Sequence, residues 1–208
     1  MKWIFQAILE LCAMVIAYLT NWIVVFFADE YGNLPKCLRF WQTYDNCLDV
    51  EWVITEDCVP KFARYDYSKH YIYHYEEKDG EKMIPGYVDI IDPNFTIKER
   101  FQRYVCRTYW LYRNSNYGFS YEINGRNIIG SQNKVVKDVK TDTSRIWISY
   151  VPDDIWNVTW SVFLFIPYFP GCHLKLRLYL GWKLKGITTG KQRCMLALSI
   201  NPFRLNKE

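Results

Sequence analysis

Two groups of side chains in this chain have the types and spacing to do chemistry. The first is Asp45-Asn46-x-x-Asp49, a compact acidic turn that follows Trp41-Gln-Thr. Oxygens placed this closely bind a hard cation or a ligand, or they close an Asx turn. The second is Arg100, Arg103 and Arg107, spaced so that one helix carries them as a stripe. Guanidinium groups in that array contact anions such as carboxylates, phosphates and lipid headgroups. If Asp45 and Asp49 met Arg103, Arg107 and Arg113 in one pocket, the set would suit a hydrolase or nuclease acting on a lipid or nucleic-acid substrate. Otherwise the stripe is a solvated helix face.

Other chemistry lacks its residues. His70 and His74 are four apart, which on a strand separates them by roughly 13 Å at about 3.3 Å per residue, too far for one ion. With His173 the only other histidine, both read as surface groups, and no metal site is expected. Gly118-Phe-Ser120 lacks the second glycine of a nucleophile elbow. There is no G-x-x-x-x-G-K-[ST], no G-x-G-x-x-G and no H-E-x-x-H. Of the 7 cysteines, none forms a C-x-x-C pair, so zinc ribbons and redox pairs are unsupported. No catalytic residue and no cofactor follow from these residues.

The elements that must position the two groups are legible in part. After Asp92-Pro93-Asn94, the pattern Thr96-x-x-Glu99 is a capping box, and apolar residues recur at helical spacing to Leu111/Tyr112. A helix near 96–113 therefore carries the arginines. The acidic turn falls in a stretch broken by Gly32 and Pro35. Tyr65 to Tyr75 alternates with period two, which predicts a strand with an aromatic face, and Met83 to Ile91 follows a Lys78-Asp79-Gly80 turn. Phe119–Ile123, Asn124-Gly125 and Arg126–Ile129 predict a hairpin. Residues 131–145 read as a loop or short strand. Val158–Ile166 is an apolar strand. His173–Lys185 alternates strictly, with leucines on one side and Lys175, Arg177, Lys183 and Lys185 among the other set, a second candidate anion-contacting group. Cys194–Ile200 is expected to pair back on it.

The N-terminus says where these elements sit. Leu11 to Ala28 is uncharged and, at about 1.5 Å per residue, roughly 27 Å long as a helix, enough to cross a hydrocarbon core. No A-x-A-like cleavage site follows it, so an uncleaved, single-pass anchor over residues 1–28 is expected, with its orientation undecided by the flanking Lys2, Lys36 and Arg39. Lys2, Gln6 and Glu10 recur at i, i+4 and give the first turns a polar stripe, as in a helix entering at an interface or packing on a partner. Residues 29–96 hold 14 acids against 7 bases, and residues 97–208 hold 18 bases against 7 acids. That polarity calls for an anionic partner of the basic half or for mutual neutralisation of the halves. Aromatic residues at 18% favour strands, interfaces and membrane boundaries over a plain helical bundle.

Several blocks together resemble one family. Leu34-Pro35-x-x-Leu38-Arg39-x-Trp41-x-Thr43-x-Asp45-Asn46-x-Leu48-Asp49 is similar to a motif of uncharacterised proteins of tailed bacteriophages and prophages. So are Arg103-Tyr104-x-x-Arg107-x-x-Trp110-Leu111-Tyr112-Arg113-Asn114-x-x-Tyr117-Gly118-Phe119, Leu180-Gly181-Trp182-Lys183-Leu184 and Asn201-Pro202-Phe203. Cys47 and Val50 stand where that pattern has Pro and Gly. The resemblance implies a phage-encoded protein with an apolar N-terminus and no assigned activity. The reading overall is an α+β chain: a membrane-type helix over 1–28, then one antiparallel β-rich domain over 29–208. Its function is that of a membrane-anchored accessory protein whose partners are anionic headgroups or a host or phage membrane protein, with nucleic acid not expected. An enzyme and a virion structural component are the alternatives.

Overall fold

The computed structural model describes residues 2–43, 47–49, 59–78, 81–129, 134–141, 144–150, 158–168, 174–186 and 191–205. Helix α1 (Lys2–Val24) has no glycine or proline to break it, and it continues into a 3-10 turn at Val25–Phe27. Ala28 turns extended and Gly32, at φ 76, completes the reversal. Further 3-10 turns lie at Lys36–Leu38, Lys61–Ala63 and Tyr67–Lys69.

Strands β1 (Tyr71–Lys78) and β2 (Glu81–Ile90) form an antiparallel pair. The strand anticipated from Tyr65 therefore begins later. The 3-10 turn interrupts the alternation, because His70 folds inward, with its ring stacked 4.0 Å from that of Phe95 and its Nδ1 2.9 Å from the Asp92 carbonyl. His70 is buried, which corrects its reading as a surface histidine. The side chain of His74 lies outside the described residues.

Helix α2 (Ile97–Arg113) starts at the capping box as its spacing requires. The Thr96 hydroxyl accepts from the Glu99 N–H at 3.2 Å, and the Glu99 carboxylate accepts from the Thr96 N–H at 2.8 Å. Helix α3 (Tyr117–Glu122) then replaces the expected hairpin arm. The alternating apolar residues of that stretch are too few to decide between strand and helix. What decides is Asn116, Ser120 and Asn124, four residues apart, which a helical turn brings to one side to meet a single carboxylate on α1. Asn116 adopts the left-handed conformation that joins α2 to α3.

The remaining strands are β3 (Arg126–Ile129), β4 (Lys134–Lys140), β5 (Ser144–Tyr150), β6 (Val158–Pro167), β7 (Leu174–Gly186) and β8 (Lys191–Leu205). They form one antiparallel sheet in the order β3-β8-β7-β6-β5-β4. β7 and β8 pair as anticipated, with Lys183 opposite Met195 and Lys185 opposite Arg193. The chain is thus a mixed helix and antiparallel-sheet protein with an apolar N-terminal helix. All three helices pack on β8. The main apolar cluster joins Val24, Val25, Leu34, Leu48, Trp110 and Leu111, so α1 shares its core with α2 and the loops between them.

Candidate functional site

The acidic turn and the arginine helix meet. Arg103 and Arg107, one turn apart on α2, both reach Asp49, which is 3% exposed. Arg107 donates through Nε to Asp49 Oδ1 at 2.8 Å and through Nη2 to Oδ2 at 2.5 Å, a bidentate fork, while Arg103 Nη2 donates to the same Oδ2 at 2.8 Å. The guanidinium groups also close the loop after α1: Arg107 Nη2 donates to the Asp29 carbonyl at 3.2 Å, and Arg103 Nη2 donates to the Glu30 carbonyl. Leu48 N–H donates to the Gly32 carbonyl at 2.8 Å, bringing the Asp49 segment against that loop. A Cβ on Gly32 would stand 2.6 Å from the Asp49 carboxylate, so this approach excludes any other residue.

Burial alone would push the Asp49 carboxyl up. The charges and hydrogen bonds of Arg107 and Arg103 outweigh it and hold the pKa down at about 2. Burial likewise works against the Arg107 cation, and Asp49 reverses that, raising its pKa. Arg103 further lies 4.5 Å above the Phe95 ring centroid and 5.4 Å above that of Tyr71. Both Asp49 oxygens are occupied by donors and the group stays ionised, so this carboxylate offers no free base. Chemically the centre is a clamp: two guanidinium groups and one carboxylate fasten the loop after α1 to α2.

The other candidate residues separate from it. Asp45 and Asn46 lie outside the described residues. Arg113 stacks 5.7 Å from the Trp110 centroid and does not reach Asp49 in any described contact. Arg100 is exposed and donates through Nε to the Phe95 carbonyl at 3.2 Å. No described contact joins it to Asp49, but it lines one cleft of about 780 Å³ beside the end of α1 together with Arg103, Arg107, Phe26, Phe101 and Tyr104, so the three arginines of the stripe meet there. Lys175, Arg177, Lys183 and Lys185 are positions of β7 whose side chains lie outside the described residues. Among the described residues no group of His, Cys, Asp and Glu could hold a metal ion.

Sequence reasoning left one cluster without its partners. Glu10, which it placed on a polar stripe, is 0% exposed and accepts from Asn116 Nδ2 at 2.6 Å, Ser120 Oγ at 2.8 Å and Asn124 Nδ2 at 3.1 Å. Farther along α1, Asn21 is also fully buried, with its Nδ2 donating to Ser115 Oγ at 3.3 Å. The buried positions of α1 run Glu10, Met14, Ala17, Asn21 and Val24, spaced as one helical face. The opposite face shows Phe5, Ile8, Leu11, Val15, Leu19 and Ile23 to the outside. The helix is inverted relative to one in a water-soluble protein: its acid and amides point in and its aliphatic and aromatic residues point out. The signal for this was present in the four-residue spacing of Asn116, Ser120 and Asn124.

A mixed helix and antiparallel-sheet chain, with a charge clamp beneath an inverted, span-length apolar helix, defines the class of protein to which these features point. The chain belongs to a family of unknown function, DUF7338, whose model matches residues 1–208. No curated protein and no solved structure matches it.

Proposed function

We propose that this chain is a membrane-anchored accessory protein with no catalytic step of its own, held at a lipid surface by α1. The observation that carries this reading is the outward face of α1. Among the described residues one helix, Ile4–Phe27, has the length and apolarity to cross a membrane, and the exposed positions of its outward side are all aliphatic or aromatic apart from Cys12. A core helix of a soluble protein would turn that side inward. Arg100, exposed beside the end of α1, supplies an anion-contacting group for phospholipid headgroups, and the β7 positions Lys175, Arg177, Lys183 and Lys185 belong to the same proposal. The likeness of the sequence motifs to proteins of tailed phages and prophages makes a phage or prophage origin, and a host membrane as the site of action, part of the same proposal. An enzyme built on Asp49 draws no support from a carboxylate saturated by two arginines.

Flotation of the full chain with phosphatidylcholine vesicles tests the reading. The parent chain is expected to float. A variant carrying Leu11→Lys and Leu19→Lys, both on the outward face, is expected to stay at the bottom of the gradient while keeping its helical circular dichroism. A parent chain that remains in the aqueous fraction without detergent would overturn the proposal.

A further inference from the structure

The geometry points to an in-plane anchor: α1 lies along one membrane leaflet with its outward face in the acyl boundary, and does not cross the bilayer. This rests on the membrane reading above and adds the orientation. The first ground is what accompanies the helix. Asn124 Nδ2 donates to the Gln6 carbonyl at 3.2 Å near one end. Tyr18 and Tyr112 exchange hydroxyl-to-carbonyl bonds at 3.3 and 2.9 Å. Near the other end the Tyr104 hydroxyl donates to the Trp22 carbonyl at 2.6 Å, and the Phe26 and Tyr104 rings stack at 4.6 Å. From Gln6 to Phe26 is about 30 Å of helix at 1.5 Å per residue, the full hydrocarbon thickness. A perpendicular α1 would take its attached protein through that whole depth.

That attached protein cannot go there. At the level of Ala13, Ile16 and Ala17 the neighbours are Phe40, Trp41, Asn116 and Phe119, from the turn after Lys36–Leu38, a left-handed junction and a short helix. Irregular backbone exposed to lipid leaves polar groups without partners. Beside it stand exposed Lys36, Arg39 and Glu122, which gather at a neighbouring cleft with Phe40 and Gly118. Each basic group at the bilayer centre costs about 2.5–3.5 kcal/mol on the insertion scale. Laid flat, α1 leaves all three on the water side.

The second ground is the state of the polar atoms bordering the outward face, and it identifies lipid as the occupant. Trp22, half exposed there, donates its Nε1 to the Leu19 carbonyl at 2.9 Å. Thr20 donates its hydroxyl to the Ile16 carbonyl at 2.7 Å and accepts from Trp41 Nε1 at 2.8 Å. A face that meets hydrocarbon must satisfy its polar atoms internally, and these are satisfied. Beyond the end of α1 the apolar surface continues through Phe27, Phe101 and Ile97, the last 89% exposed. Arg100 is exposed beside Phe26 and Phe101 at one cleft, so a cation stands next to this apolar surface, where a headgroup phosphate could pair with it.

Nitroxide depth measurements on the full chain bound to phosphatidylcholine vesicles containing phosphatidylglycerol test the orientation. The label is placed on native Cys12 and on cysteines introduced by Ile8→Cys, Leu19→Cys and Phe26→Cys, all outward positions, with the other reactive cysteines changed to serine. An in-plane helix places all four labels at one shallow depth, about 5–10 Å below the headgroups. A crossing helix centred near residue 16 places Cys12 and Leu19 deepest, both about 10 Å below the surface, with Ile8 at about 3 Å and Phe26 at the surface, and that graded profile overturns the proposal. Labels that couple to those of a second molecule while staying inaccessible to lipid-soluble oxygen would assign the face to a second copy of the chain and also overturn it. Labels fully exposed to water would sink the membrane reading itself, a distinct failure.

Discussion

Asp49→Asn is the most informative single change, because it removes one charge from the clamp and keeps the shape. Asp49 is held at about 2 against an ordinary 3.8, a difference of about 2–3 kcal/mol between ionised and neutral forms. The asparagine loses that and turns an amide N–H₂ toward one guanidinium, donor against donor. Asp49→Ala goes further, leaving Arg103 and Arg107, with side chains 11% and 8% exposed, buried and uncompensated, a loss of about 3–5 kcal/mol. The assay is reversible urea unfolding of the full chain in detergent micelles, read by circular dichroism, with an unchanged slope to show that only stability has moved. Replacing Asp49, Arg103 and Arg107 together by Leu, Met and Met should recover most of the loss, since the damage comes from unpaired charge. The exposed Asp66–Lys69 pair, at 3.6 Å, serves as a control, and Asp66→Asn should leave the urea midpoint essentially unmoved. The pH dependence has a definite sign. The native pKa lies below the unfolded value, so Asp49's contribution is complete above about 3.8 and disappears as pH falls through about 2. If Asp49→Asn unfolds within about 0.5 kcal/mol of the parent, the clamp is not holding the loop to α2 and the reasoning fails.

Glu10→Ala, which takes their shared acceptor from Asn116, Ser120 and Asn124, should destabilise by about 2–3 kcal/mol in the same assay, and Glu10→Gln by clearly less; equal losses would mean the carboxylate position is not what organises α3. Gly118→Ala should lower the urea midpoint because its Cβ would collide with the carbonyl oxygens of Arg39 and Gln42, at a cost of about 1–3 kcal/mol; an unchanged midpoint would place α3 farther from the 36–42 segment. Arg100→Gln should reduce the preference for phosphatidylglycerol over phosphatidylcholine vesicles about fivefold at low salt, near 1 kcal/mol, and the preference should fade as salt rises. The quadruple change of Lys175, Arg177, Lys183 and Lys185 to Gln should lower the same preference further. Binding by both variants equal to the parent's would remove headgroup contact from the proposed function.

What was legible in the sequence follows the range of the interactions. The capping box of α2 and the β7–β8 hairpin rest on residues close along the chain, and both stand as anticipated. Arg103, Arg107 and Asp49 were recognisable as charged groups with chemistry to offer, but their pairing spans more than fifty residues, and no spacing rule reports a contact of that range. The hairpin expected at Phe119–Ile123 failed because its alternation is short, and a tertiary demand overrode it: one carboxylate on α1 needs donors from Asn116, Ser120 and Asn124. His70 was read from its exposure-prone type, whereas the deciding factor was the Phe95 ring that covers it.

The inversion of α1 separates two tasks that a single amphipathic helix usually combines. Its inward face carries direction: a carboxylate with three donors and an amide bonded to Ser115 accept only one docking of α1 on α2 and α3. The hydrogen bonds of that face add little net affinity, because they replace bonds to water, and its attachment comes from the buried Met14, Ala17 and Val24. The outward face carries affinity without direction. Ile4, Phe5, Ile8, Leu11, Val15, Ile16, Leu19, Trp22, Ile23, Phe26 and Phe27 are all exposed there. At about 1 kcal/mol for each half-exposed side chain immersed, they sum to about 10 kcal/mol, within the roughly 4–15 kcal/mol that association costs in lost freedom. Hydrocarbon contact alone is therefore marginal for the membrane-bound state. On the proposed membrane reading the remainder would come from headgroup contact by Arg100, and the clamp and the Glu10 cluster would serve to hold α1, with its outward face, against α2, which carries Arg100.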